Sequence, residues 1–168
     1  MSRKSTRHLV ADYLTAGNVP GVGTVFASPP KISRTSDALA NVPPGTPSGS
    51  VIYVEILRSQ EVRVGLGGPT AGKKTVTHDL RLHLLFRSTQ RKAEDAMDDH
   101  DDQVEAILTL LRADRTLGST TTTPNPIFQN GEGTAGIVVE TGMPKEVGTG
   151  TTHIWSLIDT EAVEIITA

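Results

Sequence analysis

From Thr75 to Arg87 apolar and polar positions alternate with a period of two. Val76, Leu80, Leu82, Leu84 and Phe86 fall on one parity, with His78 among them. Thr77, Asp79, Arg81, His83 and Arg87 take the other, broken only by Leu85. This is the pattern of a strand with one buried face. After the polar break Ser88-Thr89-Gln90 the period lengthens. Ala93, Met97, His100, Val104, Ile107, Leu108 and Leu111 recur at spacings of three and four and share one helical stripe. A long strand running into a long amphipathic helix is the centre of the chain, and neither carries a catalytic signature.

The flanks read less regularly. Ser2 to Ala16 predicts a first helix with a narrow stripe of Leu9, Val10, Tyr13 and Leu14, closed by Gly17 at C′. Asn18 to Gly23 is a turn, and Thr24 to Ala27 a short strand. Val51 to Leu57 predicts a strand apolar on both faces at its centre. Ala135 to Thr141 predicts another, and Gly142-Met143-Pro144 a turn. Thr152 to Ile158 and Ala162 to Thr167 read as a strand pair, or as one long strand with a bulge near Asp159. Trp155 shares parity with His153 and Leu157, as a core or interface anchor would.

Between these elements lie two long connections. Pro29, Pro30, Pro43, Pro44 and Pro47 forbid a continuous helix or central strand from Ser28 to Ser50. Arg58 to Lys74 is a second, Gly-rich connection. Loops longer than about 12–15 residues in a compact domain usually carry function, so 28–50 and 58–74 are expected to be flexible or interface loops. The element order predicts a single α+β domain over 1–168. Its sheet is mostly antiparallel, with two main helices packed on one face and long Pro/Gly-rich loops outside.

Composition narrows the function. One Trp, two Tyr and three Phe leave the core to Leu, Ile and Val. A formal net charge of -3 argues against a general nucleic-acid binder, which needs a basic face. No cysteine is present, which excludes disulfides, thiolate zinc sites and a cysteine nucleophile. No apolar run approaches the roughly 20 residues of a membrane helix, and the charged N-terminus lacks the apolar core of a signal peptide. The chain is expected to work in a cytoplasm, or in something assembled there.

Five stretches of the chain carry candidate chemistry. Gly67-Gly68-Pro69-Thr70-Ala71-Gly72-Lys73 has P-loop spacing up to its lysine. Lys74 then stands where a magnesium-binding hydroxyl is needed, and a strand follows where a helix should open. Gly131-Glu132-Gly133-Thr134-Ala135-Gly136 satisfies the dinucleotide pattern by letter but is followed by the strand Ile137-Val138-Val139. Glu94, Asp95, Asp98, Asp99, Asp101, Asp102 and Glu105 surround His100, with Asp98 and Asp102 one turn apart. A divalent metal could be drawn there, yet carboxylates early in a helix also complement its dipole, and charge runs are usually solvated faces. His78 and His83, five apart on a strand, point to opposite sides. Arg3, Lys4 and Arg7 read as a solvated first turn rather than a phosphate arm. No Ser-His-Asp arrangement with nucleophile-elbow spacing is visible. No catalytic, cofactor-binding or metal residue is expected, no cofactor is implied, and the chain is not read as an enzyme.

The element order, the size, the turn Val19-Pro20-Gly21-Val22-Gly23-Thr24-Val25-Phe26 after a first helix, and the alternating Thr75–Phe86 strand before an acidic helix resemble tail terminator proteins. These are minor tail or neck proteins of long-tailed bacteriophages. The closing Trp155-Ser156-Leu157 and Val163-Glu164-Ile165 strands fit the same pattern, and only the Pro-rich 28–50 segment departs from it. The resemblance implies a virion protein assembled in the host cytoplasm as a homohexameric ring on the end of the tail tube. It would stop polymerisation of the major tail tube protein and present the surface that joins the head-completion or connector protein. DNA would pass through the lumen without sequence-specific binding, and no membrane is involved. The competing readings are another neck component (head closure or head–tail connector), a tail tube subunit, and a small metal-dependent hydrolase using Asp98 and Asp102.

Overall fold

The computed structural model describes residues 3–30, 47–63, 72–119, 127–130, 136–147 and 150–167, with strand 127–130 described by its backbone. Helix α1, Arg3–Ala16, buries Thr6, Val10, Ala11 and Leu14. Its end differs from expectation. The Gly17 amide still bonds to the Tyr13 carbonyl at 3.0 Å, and the left-handed residue is Asn18, with φ 46°. The Leu110 side chain packs where a Cβ on Gly17 would project, 2.1 Å from its Cδ2, so a larger residue there would have to turn that leucine aside.

Strand β1, Val22–Phe26, starts earlier than the predicted Thr24. It runs parallel to β2, Ser48–Arg63, with Val25 opposite Ile52 and Phe26 opposite Tyr53. Strand β3, Lys73–Ser88, pairs antiparallel with the whole of β2. The expected loop over 58–74 is therefore largely strand, since Arg58 to Arg63 pair with Asp79 to Lys74. Its polar composition hid the pairing. Both faces are solvated there, and cross-strand charges such as Arg58–Asp79 (2.9 Å) and Lys74–Glu61 (2.9 Å) replace apolar contacts. Residues 31–46 of the first Pro-rich loop and 64–71 of the second lie outside the described residues; Ser48 to Ser50 belong to β2.

Helix α2, Ala93–Ala113, buries Ala96, His100, Gln103, Val104, Ile107, Leu108 and Leu111. Ala93 is exposed and Met97 half-buried, so the stripe is rotated slightly from the expected one. Short strands β4 (Ile127–Asn130), β5 (Val138–Thr141) and β6 (Lys145–Glu146) precede β7, Thr152–Thr167. β4 was not expected from the sequence. β7 is one unbroken 16-residue strand, matched residue for residue to β3 from Thr152↔Ser88 to Thr167↔Lys73. The bulge expected near Asp159 is absent from that ladder; the irregularity falls in β2, between Ile56 and Arg58. The strand order is β1-β2-β3-β7-β4, with β5 and β6 also laid along β7.

The fold is α+β, with a mostly antiparallel mixed sheet. Both helices lie on one face. Val10, Ala11 and Leu14 of α1 and Val104, Ile107, Leu108 and Leu111 of α2 join Ile52, Val54, Ile56, Leu80, Leu82, Leu84 and Ile158 in one core. Each fully buried side chain of this kind contributes roughly 1.5–3 kcal/mol. Tyr13 Oη donates to the Leu110 carbonyl at 2.9 Å and ties the helices together. On the helix-free face Val51 and Leu85 form a second, smaller cluster under Phe26 and Tyr53.

Candidate functional site

Polar side chains aimed at the sheet fix the position of α2. Asp99 accepts from Ser48 Oγ, which also bonds Ser88 Oγ at 2.8 Å. Ser50 Oγ donates to Gln103 Oε1 at 2.7 Å inside the core. Next to Asp99 and a turn before Gln103, His100 reaches β7, with Nε2 2.8 Å from Ser156 Oγ. Its Nδ1 lies 2.9 Å from Asp101 Oδ1. A carboxylate only accepts, so Nδ1–H donates to Asp101, and Nε2 accepts the Ser156 hydroxyl proton.

Asp101, His100 and Ser156 thus have the connectivity of a serine hydrolase triad, which no spacing in the sequence announces. The signal available was weaker: His100 on an apolar stripe, and Ser156 on the inward parity of β7. Access decides against nucleophilic chemistry. Ser156 and His100 are both fully buried, beneath a helix, with Phe86 edge-on to the imidazole at 5.4 Å. Ser156 lies in mid-strand, where no pair of backbone N–H groups is free to hold an oxyanion. The nearest depression, lined by Glu140, Thr141, Gly142, Trp155 and Leu157, opens on the opposite side of β7. The trio is a buried strap between helix and sheet.

The other expected candidates disperse. Asp98, Asp101, Asp102 and Glu105 are exposed on α2. Among the described residues no three His, Asp or Glu side chains converge to hold a metal. His78 points inward, with Nδ1 2.8 Å from Ser59 Oγ and Nε2 3.6 Å from the buried Glu164 carboxylate. Burial, followed by nearby positive charge that includes Arg3, holds the ring below its ordinary pKa against the opposing pull of Asp79. His83 points to the helix-free face, as its parity requires, and pairs with Glu55 at 2.9 Å. Arg3 is neither a phosphate arm nor simply solvated: Nη2 donates to the Ile56 carbonyl at 2.6 Å, beside the β2 irregularity. Of the P-loop-like segment, residues 67–71 lie outside the described residues, and Lys73 opens a strand. Of the dinucleotide-like segment, 131–135 lie outside them, and a strand follows from Val138.

What remains is the helix-free face. Tyr53 stacks on His83 at 4.1 Å and 12°, and Trp155 tilts over the same ring at 5.8 Å. Beyond them Glu55, Arg81 and Asp159 form a row across three strands, with a bidentate Arg81–Asp159 pair at 2.7 Å. Among the described residues the exposed large apolar side chains are Leu57, Val62, Val138, Met143, Val147 and Trp155. Leu57 and Val62 lie on β2, Val138 on β5, Trp155 on the inner strand β7, and Met143 and Val147 in the connections; Leu57 and Val138 border one depression together with Asp79 and Asp159. No protein-family model and no curated protein matches the chain.

Proposed function

We propose that this chain is a tail terminator of a long-tailed bacteriophage. It would be a structural virion protein that closes into a ring on the tail tube, halts its growth and presents the surface that meets the head. The observation that carries the reading is the arrangement of exposed apolar side chains. Leu57, Val62, Val138 and Trp155 lie along the side of the sheet that neither helix covers. Such an open face gains by burial against another copy, and where the contact joins unlike parts of the surface it is heterologous and closes into a ring when the rotation permits. The resemblance in element order and patterning supplies the particular ring. A net charge of -3 suits a lumen through which DNA slides, because like charge disfavours phosphate contact.

The test is genetic and then biochemical. Phage lacking the protein should make tail tubes of irregular, often excessive length that do not join filled heads. Purified protein added to such an extract should restore joining. Tails of normal length beside heads that leak DNA would instead make the chain a head-closure component.

A further inference from the structure

The strand ladders set the order of side chains on the helix-free face. Gly49, Arg87, His153 and Lys145 lie abreast on β2, β3, β7 and β6. Directly opposed residues on neighbouring strands share a face, with Cβ atoms about 4.5–5.5 Å apart, so three basic side chains stand in one row. Like charges so placed destabilise a sheet, and no carboxylate among the described residues of that row relieves them. The β2 position is glycine, and Glu146 alternates to the other face of β6, where it accepts from the Gly150 amide at 3.5 Å. Among the described residues Arg87, His153 and Lys145 have no hydrogen bond or ion pair. Burial, and after it the charge of Arg87, holds His153 below its ordinary pKa.

Two residues along β7, about 7 Å at the rise of a strand, stands Trp155. It is the only tryptophan of the chain, is 51% exposed, and walls a shallow depression of about 380 Å³ with Thr141, Gly142 and Leu157. Glu140 lines the same depression, and its charge acts on Arg81. A guanidinium fork, an imidazole and an ammonium abreast suit the several oxygens of a phosphate. An open indole one row away offers a face on which a nucleobase stacks. A carboxylate has two oxygens for three donors and no flat ring for the indole, so a nucleotide uses more of this surface than an acidic side chain does. The net charge of -3 argues against a broad basic face, which limits the site to one nucleotide unit.

We propose that the row of Arg87, His153 and Lys145 is a phosphate site, and that a nucleotide bound there lays its base on Trp155. The site is independent of the ring reading. Its ligand is a free nucleotide or one unit of a single strand, since both present the same phosphate and ring. Stacking on an indole tolerates any base, so the site does not read sequence. The bound phosphate turns the mutual repulsion of the row into attraction and favours the protonated form of His153.

The full-length chain tests this with thymidine monophosphate, followed by Trp155 fluorescence and by NMR titration of the His153 ring. The nucleotide should quench Trp155 saturably and raise the pH at which His153 titrates. Inorganic phosphate should raise that pH without quenching, and thymidine, which lacks the phosphate, should do neither. R87Q and K145Q should each weaken nucleotide binding by about five- to tenfold and leave the melting temperature unchanged. A short oligothymidylate that binds severalfold more tightly than the mononucleotide assigns the site to a strand, and equal affinity assigns it to the free nucleotide; either result supports the site. A nucleotide that moves neither Trp155 nor His153 overturns it, as does thymidine quenching as strongly as the nucleotide, or binding undiminished in R87Q and K145Q. A polyglutamate peptide that shifts His153 where the nucleotide does not overturns it in favour of an acidic protein partner.

Discussion

Replacing Ser156 by alanine separates a structural strap from a catalytic triad. The substitution removes the 2.8 Å bond to His100 Nε2 and the 3.3 Å contact with Thr141 Oγ1. It leaves an imidazole nitrogen buried and unsatisfied, since His100 is 0% exposed. Stranding a buried polar atom costs about 1–3 kcal/mol, more than the bond itself contributes. With a urea slope of about 2 kcal/mol/M for a chain of this size, the unfolding midpoint should fall by roughly 0.5–1.5 M. His100→Phe keeps the edge contact with Phe86 and removes the nitrogen that Ser156 satisfies. In that background Ser156→Ala should cost less than about 0.5 kcal/mol, giving a coupling near 1 kcal/mol or more in the double-mutant cycle. The companion measurement is labelling with a fluorophosphonate, which needs an accessible, activated serine oxygen, and the wild type should be inert. If Ser156→Ala leaves the midpoint unchanged but abolishes labelling or ester hydrolysis, burial has been misjudged and the trio is an active site.

Three further outcomes are expected. Gly21→Ala should destabilise by at least about 2 kcal/mol, seen as a lower melting temperature in calorimetry; Gly21 has φ 78°, and a Cβ would lie 2.3 Å from Gln103 Nε2. His78 and His153 are both held below their ordinary pKa, chiefly by burial. The unfolded chain therefore takes up protons below about pH 6.5 that the folded chain refuses, and denaturation at a series of pH values should show stability falling there, with the slope reduced in His153→Gln. Asp98→Asn with Asp102→Asn should leave melting unaltered, and neither EDTA nor magnesium should move it; a metal-dependent rise of several degrees would restore the metal reading.

The sequence was legible where one face of an element is buried and the other solvated. Val76 to Phe86 alternate because β3 has helices on one side only, and the stripe from His100 to Leu111 repeats because α2 is half covered. It was illegible where both faces of a strand are polar. Arg58 to Arg63 carry no period because no core lies above or below them, and their pairing with β3 is held by backbone bonds and cross-strand charges. β4 escaped notice for another reason: four residues are too few to show a period. Propensity points to Gly17 as the left-handed helix end, whereas the chain takes that conformation one residue later, at Asn18. The polar strap was equally hidden. His100, Ser156 and Asp101 share no motif, and only the docking of α2 on β7 brings His100 to Ser156.

The same docking bears on how such a subunit could stop a polymer. Asp99 accepts from Ser48, which also bonds Ser88, so the acidic first half of α2 stands at the end of the sheet where β2 begins and β3 ends. Glu94, Asp95, Asp98, Asp101 and Asp102 are exposed at that end. At the opposite end Arg63 is paired with Lys74 in the ladder, and Lys73 opens β3. Among the described residues the exposed carboxylates of α2 therefore gather at one end of the strands, beside Arg91 and Lys92, while Arg63 and Lys73 lie at the other, where Lys74 is paired with Glu61. A tube grows because each ring's free end reproduces the template that bound it. In the proposed ring, contacts around the circumference would use the two margins of the sheet and leave the two charged ends facing up and down the axis. An end that is basic below and acidic above cannot offer the same surface twice, and an acidic rim gains nothing from a second acidic rim. On this reading, termination is written in where α2 is pinned, because the strap from His100, Asp99 and Gln103 holds the acidic turns at one end.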